Sequence, residues 1–493
     1  MSSAQAGASH NGAPNLLLIT TDQQRFDTIA SLGNPWLDTP HLDWLRREGI
    51  TFRRAYADCP ICMPSRATLM TGISGTSLGL TGNDVDDYPL SRHRTLPSLL
   101  AEAGYQTHAQ GKMHFEPMRA RYGFQSMELP MDYYRQRRRT ARGDHDMPKQ
   151  HGVGENEMQA VVSTVRAADS LTHWTVRRSI DFLETRDPTA PFFMWTSFTK
   201  PHPPFDPPPE FWSLYRDREL GDPAVGTWSA DPEAMEQAWL EPSYLLNHAH
   251  SMSAGSRRQS MRAYYACIAH VDYELGLLFA RMRELGLLET TWLVFTSDHG
   301  EMLFDHNMGG KSHFLEGSAH VPLIVRPPAN PWHPHPDAGR ELHGVVSLAD
   351  VAPTLLARAG CQRPAAMEGR DLLGEGGEPE HEVEDGRVVV GESGLFAAAI
   401  GPRYSYHYAV RGGAELLFDH RDDPRQERNL AAEPAHQQLR QALREHLRSE
   451  LAARGSRLVA GDELKSEPAL AGPGDVPRWP GFHSTDVDSD VLH

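Results

Sequence analysis

The run NLLLIT, residues 15–20, sets the tightest limit on the architecture. It is apolar with no polar alternation, the pattern of a strand buried on both faces, as in a parallel sheet. The scheme then repeats. HLDWLRREGITF predicts a helix stopping at Gly49 and a strand after it; TLPSLLAEAGYQTHAQGK predicts helix, Gly104, strand and loop. LTHWTVRRSIDFLETR reads as a helix and PFFMWTSFT as a strand. Residues 263–300 read as a long amphipathic helix, a glycine stop, a strand and a polar cluster. HVPLIVRPP is a further strand, and SLADVAPTLLARAG a helix ending at Gly360. Helices alternating with apolar strands predict an α/β fold on a mostly parallel sheet. Ligands gather beyond the C-terminal ends of such strands. TDQQ, GKMHF, TKPHPPF and SDHGEM each lie just past a strand, so four polar clusters are expected on one rim.

Two regions break the pattern. Residues 116–171, including YYRQRRRTARGDHDMPKQHGVGENE, have no clean periodicity, and residues 203–260 are rich in Pro, Trp and acidic groups. Both read as long surface excursions of the kind that shape substrate access. After GEGGEPEHEVEDG the composition changes. RVVVGES, YSYHYAVRGG and AELLFDHRDDPRQERNL predict an antiparallel sheet, followed by the helix AHQQLRQALREHLRSELAAR. The expected division is a larger α/β domain over residues 1–373 and a smaller C-terminal domain over 374–493. The end, GPGDVPRWPGFHSTDVDSDVLH, reads as an irregular tail whose aromatics suit contact with a neighbouring subunit in a homo-oligomer.

A formal net charge of −17 excludes nucleic acid as a bulk partner, because phosphate binding needs a basic footprint. An anionic small substrate instead requires a local cluster of Arg, Lys and metal. No run approaches the ~18 apolar residues of a membrane span. The start, MSSAQAGASHNGAPN, lacks the basic and apolar regions of a secretory signal. The expectation is a cytoplasmic protein, with the periplasm as the alternative.

Two of the four cysteines sit in CPICMPSRATLMTG, residues 59–72. Cys59 and Cys62 form a CxxC, which suits a redox pair or half a zinc site. Zinc needs two more soft ligands, and no second Cys/His pair stands at the right spacing. A tyrosine-phosphatase loop needs five residues between Cys and Arg, which neither cysteine has with Arg66. Locally, Pro64 suits the first turn of a helix and Gly72 its C-terminal end. Cys62 then lies at the positive helix start, with Arg66 one turn on.

Cys62-Met-Pro-Ser-Arg66 followed by ATLMTG resembles the sulfatase signature C-x-P-S-R-x-x-L-x-T-G. NLLLITTDQQR, TPHLDWLRREGITFRRAYA, GKMHF, KPHPPF, SDHGEMLFDH and GGKSHFLEGSAHVPLIVR resemble further segments of that family, in the family's order. The resemblance implies the alkaline-phosphatase-like fold. It also implies that Cys62 is oxidised to Cα-formylglycine by a formylglycine-generating enzyme. One hydroxyl of the hydrated aldehyde would attack sulfur, and the sulfated product would then release sulfate.

The resemblance assigns Asp22, Gln23, Asp298 and His299 to one divalent cation, with residue 62 completing the shell. An isolated Asp at a strand end is more often a turn or helix cap than a ligand. Many sulfatases have a second Asp and an Asn where Gln23 and His299 stand. The choline-sulfatase and phosphonate-monoester-hydrolase branches share the Gln/His variant. Carboxylate and amide oxygens favour Ca2+, and a histidine nitrogen tilts the site toward Mn2+. Arg66 would stabilise the charged hydrate. Lys112 and Lys311 would bind sulfate oxygens, His114 would hold or deprotonate the hydrate, and His202 would be the general acid. Asn83 would hydrogen-bond substrate. His270, His306, His313 and His320 read as structural. RQRRR, residues 135–139, reads first as a solvated face or oligomer contact and second as a guide for an anionic substrate. The implied activity is hydrolysis of small sulfate monoesters. A phosphonate monoester or phosphodiester hydrolase is the alternative, although such enzymes usually lack the Lys-x-His pair of Lys112 and His114.

Overall fold

The computed structural model describes residues 12–84, 87–140, 153–154, 156–230, 237–239, 252–330, 332–374 and 386–468. Most of the first 15 residues, parts of the two interrupting regions and the aromatic C-terminal tail lie outside the described residues.

One eight-stranded sheet forms the frame, made of β1 (Asn15–Asp22), β2 (Ile50–Tyr56), β3 (Gln106–Gly111), β4 (Ser126–Glu128), β5 (Phe192–Pro201), β6 (Thr291–Ser297), β7 (His320–Arg326) and β8 (Glu341–Ser347). Their spatial order is β4-β3-β5-β1-β6-β7-β2-β8. All neighbours are parallel except β7, which runs against both β6 and β2. The uninterrupted apolar character of β1 has a direct cause. Leu16 and Leu18 enter a core on one face with Phe193, Trp195 and Val294; Leu17 and Ile19 enter the other with Met194, Leu293 and Phe295. Helices Cys62–Thr71, Leu96–Glu102 and Val351–Arg358 cover the first face. Pro40–Glu48, Leu171–Thr185 and Ala254–Glu284 cover the second. The result is an α/β sandwich of three layers.

A second sheet of four antiparallel strands follows, β9 (Val389–Ser393), β10 (Phe396–Ile400), β11 (Tyr404–Ala409) and β12 (Glu415–Asp419), in the order β12-β11-β10-β9. One face packs against Leu447 and Leu451 of helix Gln437–Ala453. The other joins Tyr56 of β2 and Met302, Phe314 and Leu315 of the segment between β6 and β7 in one hydrophobic cluster. The structure departs from the sequence reading in the interrupting regions, where Pro130–Thr140 and Pro209–Tyr215 are helical. In the first of these helices Tyr133 is buried, which anchors it, while Arg135, Arg138 and Arg139 face solvent.

Because β1, β3, β5 and β6 run the same way, their C-terminal ends share one rim. The reversal at β7 brings that strand's N-terminal end, and the loop before it, to the same rim. No helix among the described residues is long and apolar enough to cross a membrane.

Candidate active site

The rim gathers ten side chains, none more than 9% exposed: Asp22, Gln23, Cys62, Arg66, Lys112, His114, His202, Asp298, His299 and Lys311. Asp22 ends β1, Lys112 follows β3, His202 follows β5, and Asp298 and His299 follow β6. Cys62 is the first residue of helix Cys62–Thr71, which closes on Gly72 at φ 64°, its N–H bonded to the Thr68 carbonyl. That left-handed cap is a conformation glycine adopts without strain.

The Cys62 sulfur lies 3.2 Å from His299 Nε2 and 3.0 Å from Lys311 Nζ, which also donates to Gln23 Oε1 at 2.9 Å. His114 and His202 also hydrogen-bond to the Cys62 side chain. Arg66 Nη2 sits 3.1 Å from Asp22 and 2.9 Å from Asp298, while its Nη1 donates to Ser197 Oγ and the Lys112 carbonyl. Lys112 Nζ pairs with Asp22 at 3.0 Å.

Three fixed cations, Arg66, Lys112 and Lys311, thus face two carboxylates, so the local field is positive inside an acidic molecule. Burial alone would push the Cys62 thiol up; Lys311, His299 and Lys112 outweigh it and hold the thiol well below its ordinary value. Cys59 has no such neighbours, and burial raises its thiol instead. The two cysteines of the CxxC are therefore in opposite electrostatic states. Burial would also raise Asp22, but Lys112, His202 and Arg66 overcome it, whereas burial and Asp22 keep Asp298 above its usual value. His202 is depressed to about 4 by burial, Lys311 and Lys112, and its Nδ1 bonds to the Pro203 carbonyl.

The donor set suits a divalent cation. Atoms of Asp22, Cys62, Asp298 and His299 lie within 4.8 Å of one another, all buried. Asp298 turns Oδ2 to Arg66 Nη2 at 2.9 Å, and its Oδ1 accepts the backbone N–H groups of Gln23 and His299. His299 Nδ1 is 3.0 Å from the Gly300 carbonyl, which makes Nδ1 the protonated nitrogen and turns the Nε2 lone pair into the site. The mix of carboxylate oxygen and imidazole nitrogen is one that first-row divalent ions accept.

Asn83 Oδ1 accepts the N–H of Met63, the residue after Cys62, at 3.1 Å and so secures the start of the Cys62 helix. His313 packs on Phe396 with ring centroids 4.3 Å apart, and burial drives it down to about 3. His320 bridges Glu316 and the Arg53 carbonyl. Sequence reasoning missed Ser197, which orients Arg66, and Glu301, whose carboxylate accepts the Gln23 amide. The only signal was the place of Glu301 inside SDHGEM.

The sulfatase family model matches residues 14–361. An arylsulfatase from Clostridium perfringens is 31% identical over 474 residues, covering 92% of this chain and 97% of that protein. A multifunctional alkaline phosphatase superfamily protein, PehA of Trinickia caryophylli, is 28% identical, covering 86% and 92%. Among solved structures, the phosphonate monoester hydrolase of Agrobacterium radiobacter aligns with a TM-score of 0.72 at 26% identity, covering 92% of this chain and all of that one.

Proposed function

The chain belongs to the sulfatase family of sulfuric ester hydrolases, and from that premise we propose that it cleaves O–sulfate monoesters at a Cα-formylglycine matured from Cys62. The observation that carries this reading is the position of the Cys62 side chain, with Lys311 and His299 within 3.2 Å and two carboxylates beside it. Asp22, Gln23, Asp298 and His299 would hold one divalent cation, Mn2+ or Ca2+, which supplies positive charge for the nucleophile and for a sulfate oxygen. The oxidised side chain supplies the attacking oxygen.

The remaining work falls to the chain's own residues. Lys112 and Lys311 face the point where negative charge grows on the SO3 oxygens, and their burial strengthens that attraction. Arg66 holds the two carboxylates in place through its paired contacts. His114, which hydrogen-bonds to the Cys62 side chain, would take a proton from a group at residue 62. With Nδ1 fixed on the Pro203 carbonyl, His202 turns Nε2 to the site, where it protonates the departing oxygen. Burial and two lysines keep this imidazole neutral when the site is free; an anionic ester offsets the lysines and so favours the protonated form.

A second reading, phosphonate monoester hydrolysis at the same site, is favoured by the similarity to the Agrobacterium radiobacter enzyme together with Gln23 and His299. Lys112 and His114 both lie within the cluster and favour sulfate. Two measurements decide. Mass spectrometry of the Cys62 peptide, from cells that supply a formylglycine-generating enzyme, is expected to show the aldehyde. Rates on p-nitrophenyl sulfate are expected to exceed those on phenyl phosphonate esters; the reverse order would establish the second reading.

A further inference from the structure

Glu301 is fully buried two residues beyond His299, and each of its oxygens is committed. Oε1 accepts the backbone N–H groups of Leu303 at 2.9 Å and Gly310 at 2.5 Å. Oε2 accepts Nε2 of Gln23. The other end of that amide, Oε1, accepts from Lys311 Nζ. An ammonium can only donate, so the atom facing Lys311 must be the oxygen and the atom facing Glu301 the NH2 group. The Gln23 backbone is gripped as well. Its N–H donates to Asp298 Oδ1 at 3.1 Å, its carbonyl accepts the Tyr264 hydroxyl at 2.7 Å, and φ is 70°.

We propose that Glu301 is the positioning residue that turns the Gln23 amide oxygen toward the cation site, so that Gln23 and Glu301 form one matched donor–acceptor unit. This rests on the reading of Gln23 as a member of the cation's shell. It also accounts for an amide at position 23. A carboxylate there would face the Glu301 carboxylate in a dry interior, where two like charges repel unless a proton is taken up between them. Glu301 thereby limits the site to two carboxylates, Asp22 and Asp298, and moves it away from the oxygen-rich, highly charged cage that Ca2+ prefers.

Exchange of the pair tests this. In Glu301→Gln, the new Oε1 keeps the two backbone donors, so the new NH2 meets the NH2 of Gln23. Gln23 must then flip and present NH2 to Lys311 and the cation. In Gln23→Glu/Glu301→Gln, the NH2 of residue 301 donates to a carboxylate at residue 23, and the match is restored with one more negative charge at the cation. Mn2+ and Ca2+ binding to the chelator-stripped full chain is measured by calorimetry, with circular dichroism as the folding control. Wild type is expected to bind one Mn2+. Glu301→Gln should weaken Mn2+ about 10- to 100-fold, the usual cost of losing a ligand's orienting partner. The double variant should recover most of that loss and raise the ratio of Ca2+ to Mn2+ affinity above wild type. Folded Glu301→Gln with wild-type Mn2+ affinity overturns the inference, as does a double variant that binds no better than Glu301→Gln. If Glu301→Gln does not fold, the double variant decides alone: Mn2+ affinity more than about tenfold below wild type overturns the inference. A wild-type chain that binds neither ion overturns instead the cation site on which the inference rests.

Discussion

At the scale of single residues, His202 makes a sharp prediction. A general acid matters in proportion to how badly the leaving group needs a proton. The p-nitrophenolate ion departs unprotonated, whereas an aliphatic alkoxide does not. His202→Ala is therefore expected to lower kcat/KM for alkyl sulfates by about 10²–10⁴-fold and for p-nitrophenyl sulfate by less than about tenfold. Equal losses on both would remove His202 from proton transfer. The Cys62–Arg66 segment was legible in the sequence because its chemistry is local, with cysteine, proline and arginine within one helical turn. Glu301 was not legible as a partner of Gln23, because 278 residues separate them and an acidic residue after a strand is ordinary in any chain. Asn83 was legible only as a polar residue past the helix; that its oxygen secures the Met63 N–H depends on a return of the chain that no periodicity encodes.

Elements place these residues, and two predictions belong at that level. Gly111 ends β3 at φ 91°, and a Cβ there would lie 2.0 Å from the Ser197 carbonyl oxygen of β5. Both partners are backbone, so nothing can rotate away. Gly111→Ala must part the two strand ends that carry Lys112 and Ser197, and hence Arg66. A shift on the order of 1 Å is expected to lower kcat by about 10²-fold in steady-state assays; unchanged turnover would show that the rim tolerates spreading. Farther from the site, Glu316 ties together β2, β7 and the second sheet through Tyr56 at 2.9 Å, His320 at 2.6 Å and His420 at 3.6 Å. Burial would raise its carboxyl, but His320, His420 and Arg54 outweigh burial and hold it well below the ordinary 4.5. A depressed carboxyl stabilises the fold above its ordinary value and loses that contribution as pH falls below it. Glu316→Gln should cost about 1.5–3 kcal/mol at pH 7 in urea unfolding, and the gap to wild type should shrink between pH 4.5 and more acid values. A gap that stays constant over that range would exclude the charge as its source. The strands β1, β5, β6 and β7 were legible because burial on both faces demands unbroken apolar runs, whereas β3, QTHAQG, was legible only from the helix and Gly104 before it. Strand β10, FAAAI, was not: three alanines carry no strand signal, and the segment is extended because it completes a sheet between β9 and β11.

For the molecule as a whole, the two sheets are coupled through the loop that carries Lys311. Phe396 of β10, 2% exposed, packs on His313, and Ser393 of β9 donates to the Ser312 carbonyl. The second sheet thus braces the segment that sets Lys311 against Cys62. The opposite face of the same sheet offers an internal control. Leu447 is fully buried there among Val390, Ala397 and Leu417, without contact to that loop. Phe396→Ala should cost about 3–5 kcal/mol and Leu447→Ala about 2–5 kcal/mol, both readable as shifts in the urea midpoint. Their kinetics should diverge. Losing the Phe396 ring opens a cavity beneath His313 and frees the Lys311 loop, so KM for a sulfate ester is expected to rise by at least about tenfold, a consequence of lost positioning. Leu447→Ala, assayed well below its unfolding midpoint, should keep the wild-type KM. If both variants leave KM alone, the second sheet contributes stability and no more. If both raise it equally, the effect follows general loosening of the fold, and the bracing of Lys311 by β9 and β10 is refuted.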